Sequence, residues 1–432
     1  MKLSRRSRHL AAAAVLAGAL ALSACSSSGG TTSDASSARG PIKIWYSNNS
    51  FEITWGKQVV AAWNAAHPDQ QVTAEEIPAG KSSEDVIGAA ITAGTEPCLI
   101  YNTSPAAVPG FQKQGGLIDL TSFSDGASYI DARTGELAKQ YASADGHYYQ
   151  LPWKSNPVMI FYNKDLLTKD GVDASKPPLA TYDEFLATAK KIVDSKAAPY
   201  AIYPAPSSEF YQSWFDFYPL FAAESGGKQL VADAKSQFNS PEGLAVANFW
   251  RQIYAGKLAG NETYTGDSFA DGKAAMAIVG PWAIQAYKGK ANWGVAPVPT
   301  STGKTTDKIH TFSDAKNVGM YASCTNQATA WDFLKFSTSK EQDGKLLELT
   351  GQMPLRADLP TTYADFFAKN PDYKLFAEQA ARTVEVPNVA NSVEIWQTFR
   401  DAWSSSVIFD KAEVQQALTD AATKIDGLAG QS

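Results

Sequence analysis

The chain has 432 residues, of which 44% are hydrophobic and 19% charged, with a formal net charge of −6. That length exceeds one ordinary hydrophobic core and predicts two domains. Mild acidity argues against a nucleic-acid partner, which requires a basic face.

Lys2, Arg5, Arg6 and Arg8 form a basic start, and Leu10 to Leu22 is an apolar stretch too short for a good membrane span. Leu22-Ser23-Ala24-Cys25 matches the lipobox of bacterial lipoproteins, so cleavage before Cys25 would leave its thiol for diacylglycerol attachment. A plain secretory signal cleaved nearby is the alternative. Ser26 to Gly40 is rich in Ser, Gly and Thr, has no apolar periodicity, and reads as a flexible tether. Residues 1–24 are expected to be a signal peptide and 25–40 a lipidated leash on the outer face of a bacterial cytoplasmic membrane.

Ile42 to Ser47 predicts a first strand, followed by the polar loop Asn48-Asn49-Ser50. A helix is expected over Thr54 to Ala66, with Val59, Val60 and Trp63 on one face and Pro68 stopping it. Gln71 to Ile77 reads as a second strand, Ser83 to Ala93 as a helix, and Cys98 to Tyr101 as a third strand ending at Asn102-Thr103-Ser104. Strands alternating with helices imply parallel pairing with crossover helices. Ligands collect at the carboxyl ends of such strands. One rim therefore holds Ser47 to Asn49 and Asn102 to Ser104, with Glu52 close by.

Asp145-Gly146 supplies a tight turn, and Val158 to Tyr162 is an apolar run of strand formers. Between them Trp153 to Pro157 is polar, aromatic and bounded by prolines, so it should not continue a central strand. The stretch reads either as an ordinary hairpin or as one ribbon passing between domains. Thr181 and Glu184 form a capping box for a helix whose Phe185, Leu186, Ala189, Ile192 and Val193 keep helical spacing. Tyr200 to Tyr203 is a strand. Ser207 to Pro219 carries Phe210, Tyr211, Trp214, Phe215, Phe217 and Tyr218, some as core rings and some as a cleft lining.

Ser240-Pro241 opens another helix with proline in its first position. A strand over Ala274 to Val279 leads to Gly280-Pro281-Trp282, and Trp293 to Pro299 and Val318 to Ser323 are further strands. Ala328 to Ser337 is a helix, and Ser339 with Gln342 caps the next, which Gly351 ends. The last helix takes Asp410 and Glu413 as its capping box and buries Val414, Leu418, Ala421, Ile425 and Leu428.

Taken together, D-G-x-x-Y-x-L-P-W from Asp145, F-Y-N-K-D-L-L from Phe161, F-x-x-G-K-A-A-M-x-x-x-G-P-W ending at Trp282, and G-x-x-P-x-R from Gly351 resemble one family. It is the extracellular sugar-binding proteins of ABC importers, the group that includes maltose-binding protein. The matches run in order from Ile42 to Leu428. The resemblance implies an α/β, two-lobed periplasmic-binding-protein-like fold. Each lobe would be a mainly parallel sheet flanked by helices, the two joined by three crossing segments near Lys154–Pro157, Pro299–Thr311 and Gln352–Arg356. Lobe 1 would comprise 41–154 and 305–352, and lobe 2 would comprise 157–299 and 356–432.

The catalytic inventory is thin. His9, His67, His147 and His310 show no metal-ligand spacing, and there is no G-x-S-x-G elbow or P-loop. Paired carboxylates for glycoside hydrolysis depend on three-dimensional spacing, and with 44 acidic residues that signal carries no weight. A non-catalytic receptor without metal or cofactor fits better than a secreted carbohydrate-active enzyme. A binding protein for a non-sugar solute is the other reading.

Sugars offer C–H faces to rings and hydroxyl edges to Asn, Asp, Glu and Arg, which suits a chain with 11 Trp. Carried over by position, the resemblance implies ligand contacts at Trp282 and Trp396, the second eight residues after Asn388. Asn156 stands where maltose-binding protein has a glutamate, and Asn102 where it has a tryptophan, so an identical ligand is not expected. Asn49, Glu52, Tyr211, Trp214 and Arg356 complete the expected site. Arg356 could instead only cap a helix. The family further implies a monomer that works with permease subunits and a cytoplasmic ATPase. With Cys25 committed to lipid, Cys98 and Cys324 remain outside the cell, where pairing is favoured. The family pattern sets their strands side by side and antiparallel, and a disulfide is expected; two buried free thiols are the alternative.

Overall fold

The computed structural model describes residues 35–47, 49–79 and 82–431. The signal peptide, Cys25 and most of the tether lie outside the described residues. Among those described, no helix is long and apolar enough to cross a membrane.

The described residues form thirteen strands: β1 Ile42–Tyr46, β2 Val72–Glu76, β3 Leu99–Thr103, β4 Leu151–Lys154, β5 Met159–Asn163, β6 Tyr200–Ile202, β7 Val231–Ala232, β8 Lys235–Ser236, β9 Ala274–Val279, β10 Trp293–Ala296, β11 Thr311–Phe312, β12 Lys316–Met320 and β13 Thr383–Val384. A five-stranded sheet has the order β2-β1-β3-β12-β4, and a four-stranded sheet the order β10-β5-β9-β6. In the first, β1 is parallel to β2 and β3, while β12 is antiparallel to β3 and β4. Only β12 therefore runs against its sheet. In the second, β6 and β9 are parallel and β5 is antiparallel to both β9 and β10. Each sheet is thus one like-directed set with a single reversed strand, in a two-lobed α/β fold.

The lobes have separate cores. Ile44, Trp55, Val59, Leu99, Leu151, Val318 and Phe333 pack beneath the first sheet. The second sheet is covered on both faces, and β5 shows why its sequence is apolar throughout. Ile160 and Tyr162 enter the cluster with Phe185, Phe217 and Trp250, while Met159 and Phe161 point the other way, towards Tyr287, Met353 and Phe376. A strand buried on both faces loses the alternation of a half-exposed one.

Local signals set most helix ends. Thr181 and Glu184 form the expected reciprocal cap of the Tyr182–Asp194 helix, and Ser240 caps Pro241–Ala255. The final helix, Val414–Ala429, differs from expectation. Its cap is Glu413, whose carboxylate accepts from the amides of Gln415 and Gln416, whereas Asp410 adopts a left-handed φ of 53° and pairs with Arg251. A second correction concerns Trp153 and Lys154, which belong to β4. That strand ends the order of its sheet, where the missing N–H of Pro152 is tolerated.

Three segments lie side by side between the lobes. Ser155 N–H donates to Met353 O at 2.9 Å and Leu355 N–H to Trp153 O at 2.9 Å. On the other flank Val158 N–H reaches Phe312 O at 3.0 Å and Asp314 N–H reaches Asn156 O at 3.1 Å. The second crossing, expected at Pro299–Thr311, therefore falls later. Thr300 still bridges to Thr181, and Lys304 Nζ donates to the carbonyls of Ala223 and Glu224 at 2.8 and 2.7 Å. Buried Arg133 clamps the ribbon to the first lobe: it donates to the carbonyls of Pro152, Trp153 and Leu355 and to the Asp343 carboxylate. At the opposite end of the first sheet, Cys98 and Cys324 form a disulfide with Cα atoms 4.5 Å apart. The partnership of Leu99 with Met320 in the β3–β12 ladder brings them there.

Candidate functional site

The like-directed strands of both sheets deliver their carboxyl ends to the crossing ribbon. β4 runs directly into it, Thr103 at the end of β3 is opposite Asn317 near the start of β12, and Val279 at the end of β9 is opposite Met159. Polar groups gather where the first lobe meets the ribbon. The Ser50–Ala66 helix starts just after β1, and the Asn49 side chain caps it by accepting from the amides of Phe51 and Glu52 at 3.0 and 3.2 Å. Glu52, only 4% exposed, is the hub. It accepts from Ser47 Oγ at 2.8 Å, Gln352 Nε2 at 2.6 Å, Lys154 Nζ at 2.5 Å and Asn102 Nδ2.

Asn102 sits in the left-handed region at φ 61°, a conformation that asparagine tolerates better than most residues. Asn156 lies on the ribbon: its Oδ1 accepts from Met353 N–H at 3.2 Å, and its Nδ2 donates to Asp314 O and Gln352 Oε1, both at 3.3 Å. Burial pushes the Glu52 carboxyl up, but the Lys154 ammonium and the amides of Gln352 and Asn102 outweigh it and hold the group below the usual carboxylate range. Burial in turn pulls the Lys154 ammonium down against the attraction of Glu52. Lys154 is paired across the sheet with Lys316, and each lysine has its own carboxylate, Glu52 for one and Asp314 at 2.9 Å for the other. Like charges placed opposite each other require such compensation.

Aromatic rings gather in the second lobe. Trp282 follows β9, and its ring folds back over Gly280, where a Cβ would collide with it. This close approach explains the glycine. The indole is half-buried and meets Phe215 edge-on with ring centres 6.2 Å apart. Trp214 is buried, with the Lys316 ammonium of the other lobe 5.9 Å from its ring centre, and Tyr211 is exposed beside it. The lobes also touch away from the ribbon, because Ala106, just past β3, joins the second lobe's core.

Two expected site residues are placed elsewhere. Trp396 is 0% exposed, enclosed by Trp214, Tyr218 and Phe399. It lies on the inward face of the Ser392–Trp403 helix, behind the ring layer rather than at its surface. Arg356 is committed to Asp343 at 2.9 Å and to Asp358, in the cluster that Arg133 shares. Asn49, Glu52, Asn102 and Asn156, by contrast, join one network, and Tyr211, Trp214 and Trp282 one ring layer. Lys154, Gln352 and Lys316 were not anticipated. The signal available was a lysine at the end of an apolar strand, which demands a buried counter-charge. Among the described residues, no group of three or more His, Cys, Asp or Glu side chains is arranged to hold a metal.

The profile of the bacterial extracellular solute-binding protein family matches residues 49–344. The galactooligosaccharide-binding protein of Bacillus subtilis strain 168 is 26% identical over 418 residues, covering 94% of each chain. A maltooligosaccharide ABC transporter solute-binding lipoprotein of Streptococcus pneumoniae is 28% identical over 327 residues, 72% of this chain and 71% of that one. In fold, the chain is similar to the cyclic alpha-maltosyl-1,6-maltose binding protein of Arthrobacter globiformis. The TM-score is 0.76 at 21% identity, over 91% of this chain and 100% of that one.

Proposed function

The chain belongs to the bacterial extracellular solute-binding protein family, and from that premise we propose that it is a non-catalytic carbohydrate receptor. It takes a mono- or oligosaccharide between its lobes and delivers it to the permease subunits of an ABC importer driven by a cytoplasmic ATPase. The protein works as a monomer, held at the outer face of the cytoplasmic membrane by a lipid on Cys25. Lobe 1 comprises 41–154 and 305–352, and lobe 2 comprises 157–299 and 356–432. The contacts of Thr300 and Lys304 support moving the second boundary on to Thr311.

One observation carries the reading: the Glu52 network of the first lobe reaches the second lobe's ring layer through Lys154 and its cross-strand partner Lys316, whose ammonium lies 5.9 Å from the Trp214 ring centre. The network offers hydroxyl groups both donors and acceptors, and its carboxylate is already held by a lysine and three neutral donors. A ring layer opposite it offers a flat apolar surface to sugar C–H groups. A ligand touching both lobes shifts the population towards the closed form by its differential affinity for that form. A thermal-shift panel of malto- and galacto-oligosaccharides, followed by small-angle scattering with the best binder, tests this. A rise in melting temperature with compaction is expected. Steady hydrolysis of the bound sugar by homogeneous protein would overturn the receptor in favour of an enzyme.

A further inference from the structure

Beside the crossing ribbon lies a cavity of about 360 Å³, within the size range of small-molecule pockets. It shares no residue with the Glu52 network or the ring layer. Side chains alternate along the first crossing: Lys154 and Asn156 turn to Glu52 and Gln352, while Ser155 between them meets Ser313 and lines the cavity. Leu137, Pro354, Leu355, Leu359 and Ala380 make most of the lining apolar. Glu136 stands at its exposed rim, paired with Lys139 at 2.6 Å. Two buried polar groups interrupt the lining. Thr134 is 1% exposed, and its hydroxyl has no hydrogen-bond partner among the described residues. Arg356 uses Nη1 on Asp343 at 2.9 Å and on the Thr338 carbonyl at 3.5 Å, and Nε on Asp358 at 3.4 Å. Its Nη2 makes no hydrogen bond among the described residues.

The charges around Arg356 do not balance. Arg133 and Arg356, with side chains 2% and 9% exposed, share the one carboxylate of Asp343. The second acid of the cluster, Asp358, is held at 2.8 Å by Lys340 and lies farther from Arg356, at 3.4 Å. Three cations thus face two carboxylates, and the two guanidiniums shut away from water have a single buried anion between them. A buried charge without its counter-charge is costly, so the cluster favours an anion brought to the unused edge of Arg356.

We infer that this cavity is a second ligand site, for a small monocarboxylate with an aromatic or branched aliphatic body. The carboxylate lies against the Nη2 edge of Arg356, and the body fills the space lined by Leu137, Leu359 and Ala380. A guanidinium and a carboxylate make charge-assisted hydrogen bonds, which an uncharged isostere makes only in part and a cation not at all. A sugar is a poor occupant, because a mainly apolar wall leaves its hydroxyls without partners. The site is separate from the carbohydrate reading and holds whichever solute the cleft takes.

The test is titration calorimetry on the full chain with benzoate, 3-methylbutanoate, benzamide and benzylamine. Both carboxylates should bind and raise the melting temperature, benzamide should bind at least tenfold more weakly, and benzylamine should not bind. Arg356→Gln, which leaves Asp343 paired with Arg133, should lower benzoate affinity at least tenfold and cancel its advantage over benzamide. Ala380→Phe, which fills the cavity, should abolish binding of both. The inference is overturned if neither carboxylate binds wild type, if benzamide matches benzoate, or if either variant, folded, binds benzoate as wild type does. Should Ala380→Phe fail to fold, wild type and Arg356→Gln decide the matter alone.

Discussion

Trp282 and Trp396 enter on the same footing, each matched by position to the family's ring contacts, and they part in the fold. Trp282 is legible because Gly280 and Pro281 precede it. The glycine leaves room for the ring and the proline stops β9 from continuing, so the indole is left at a strand end. Trp396 carries no such signal. It lies within a helix, and only the neighbours contributed by distant segments, Trp214 and Tyr218, decide that its face is inward. The two substitutions should therefore behave differently. Trp282→Ala removes a half-buried ring from the proposed ligand face and should weaken sugar binding tenfold or more, in the range of about 2 kcal/mol for an aromatic anchor, with a small change in melting temperature. Trp396→Ala leaves a large cavity in the second core and should lose about 3–5 kcal/mol of stability. Urea unfolding and calorimetry on both variants check this; a Trp396→Ala protein of wild-type stability would contradict its enclosed position. The hub itself was half legible. Asn49, Glu52 and Asn102 follow from strand ends, but Lys154 and Gln352 reach Glu52 only because two crossing segments, distant in sequence, run side by side.

At the scale of elements, the ribbon depends on a guanidinium that no local pattern reveals. Arg133 lies in a region, 105 to 141, whose short helices have little apolar periodicity, and its partners come from residues 152–153, 338, 343 and 355. It donates to four carbonyls, that of Thr338 included, and shares the buried Asp343 with Arg356. Arg133→Ala leaves Asp343 with Arg356 but strips the donor from buried carbonyls of β4 and of the third crossing. Each unmet group costs about 1–3 kcal/mol, so the substitution should destabilise the protein and loosen the ribbon. Arg356→Ala leaves Asp343 with Arg133, so its loss of stability should be clearly smaller and its sugar affinity unchanged. A fall in affinity without a fall in stability for Arg356→Ala would return that residue to the ligand site. The capping box at Thr181 was fully legible by contrast, since both of its partners lie within one turn. Legibility thus follows sequence separation: caps and strand runs are local, whereas clamps and hubs are made by the fold.

At the scale of the whole molecule, the two cores meet over a second buried carboxyl, and this gives the protein a pH dependence with a definite sign. Glu385 follows β13. Its oxygens take the Val386 amide at 2.7 Å and the Tyr141 hydroxyl of the other lobe at 3.0 Å, while Tyr218 donates to its backbone carbonyl. It makes no ion pair among the described residues; Lys316 attracts its charge and Asp314 repels it. Burial pushes its carboxyl up to about 8. Asp216, buried among the ring-bearing turn and the helices behind it, is pushed to about 7, because burial outweighs the donors on Phe217, Trp403 and Gln212. In the unfolded chain both groups ionise near 4. Between about 4 and 7 the native state therefore holds protons that the unfolded state has released. Stability contributed by these groups is fully present below the unfolded value and is lost as pH rises through the folded value. The slope is at most about 1.4 kcal/mol per pH unit for each group. The depressed carboxylates, Glu52 among them, act in the opposite sense at more acid pH. His310, pulled down by burial and by Arg382, opposes the fall below its ordinary value, and Asp343, pushed up by burial, adds to it. The raised pair has the largest shifts of these groups and so sets the sign of the slope from 5 to 8. Urea midpoints should fall from pH 5 to 8 and level off above it. Glu385→Gln, which keeps an acceptor for Tyr141 and cannot ionise, should flatten the curve between 7 and 8 while the part due to Asp216 persists below 7. A wild-type midpoint that stays constant from pH 5 to 8 would mean that water reaches both carboxyls and that the two cores are less tightly closed over them than their packing indicates.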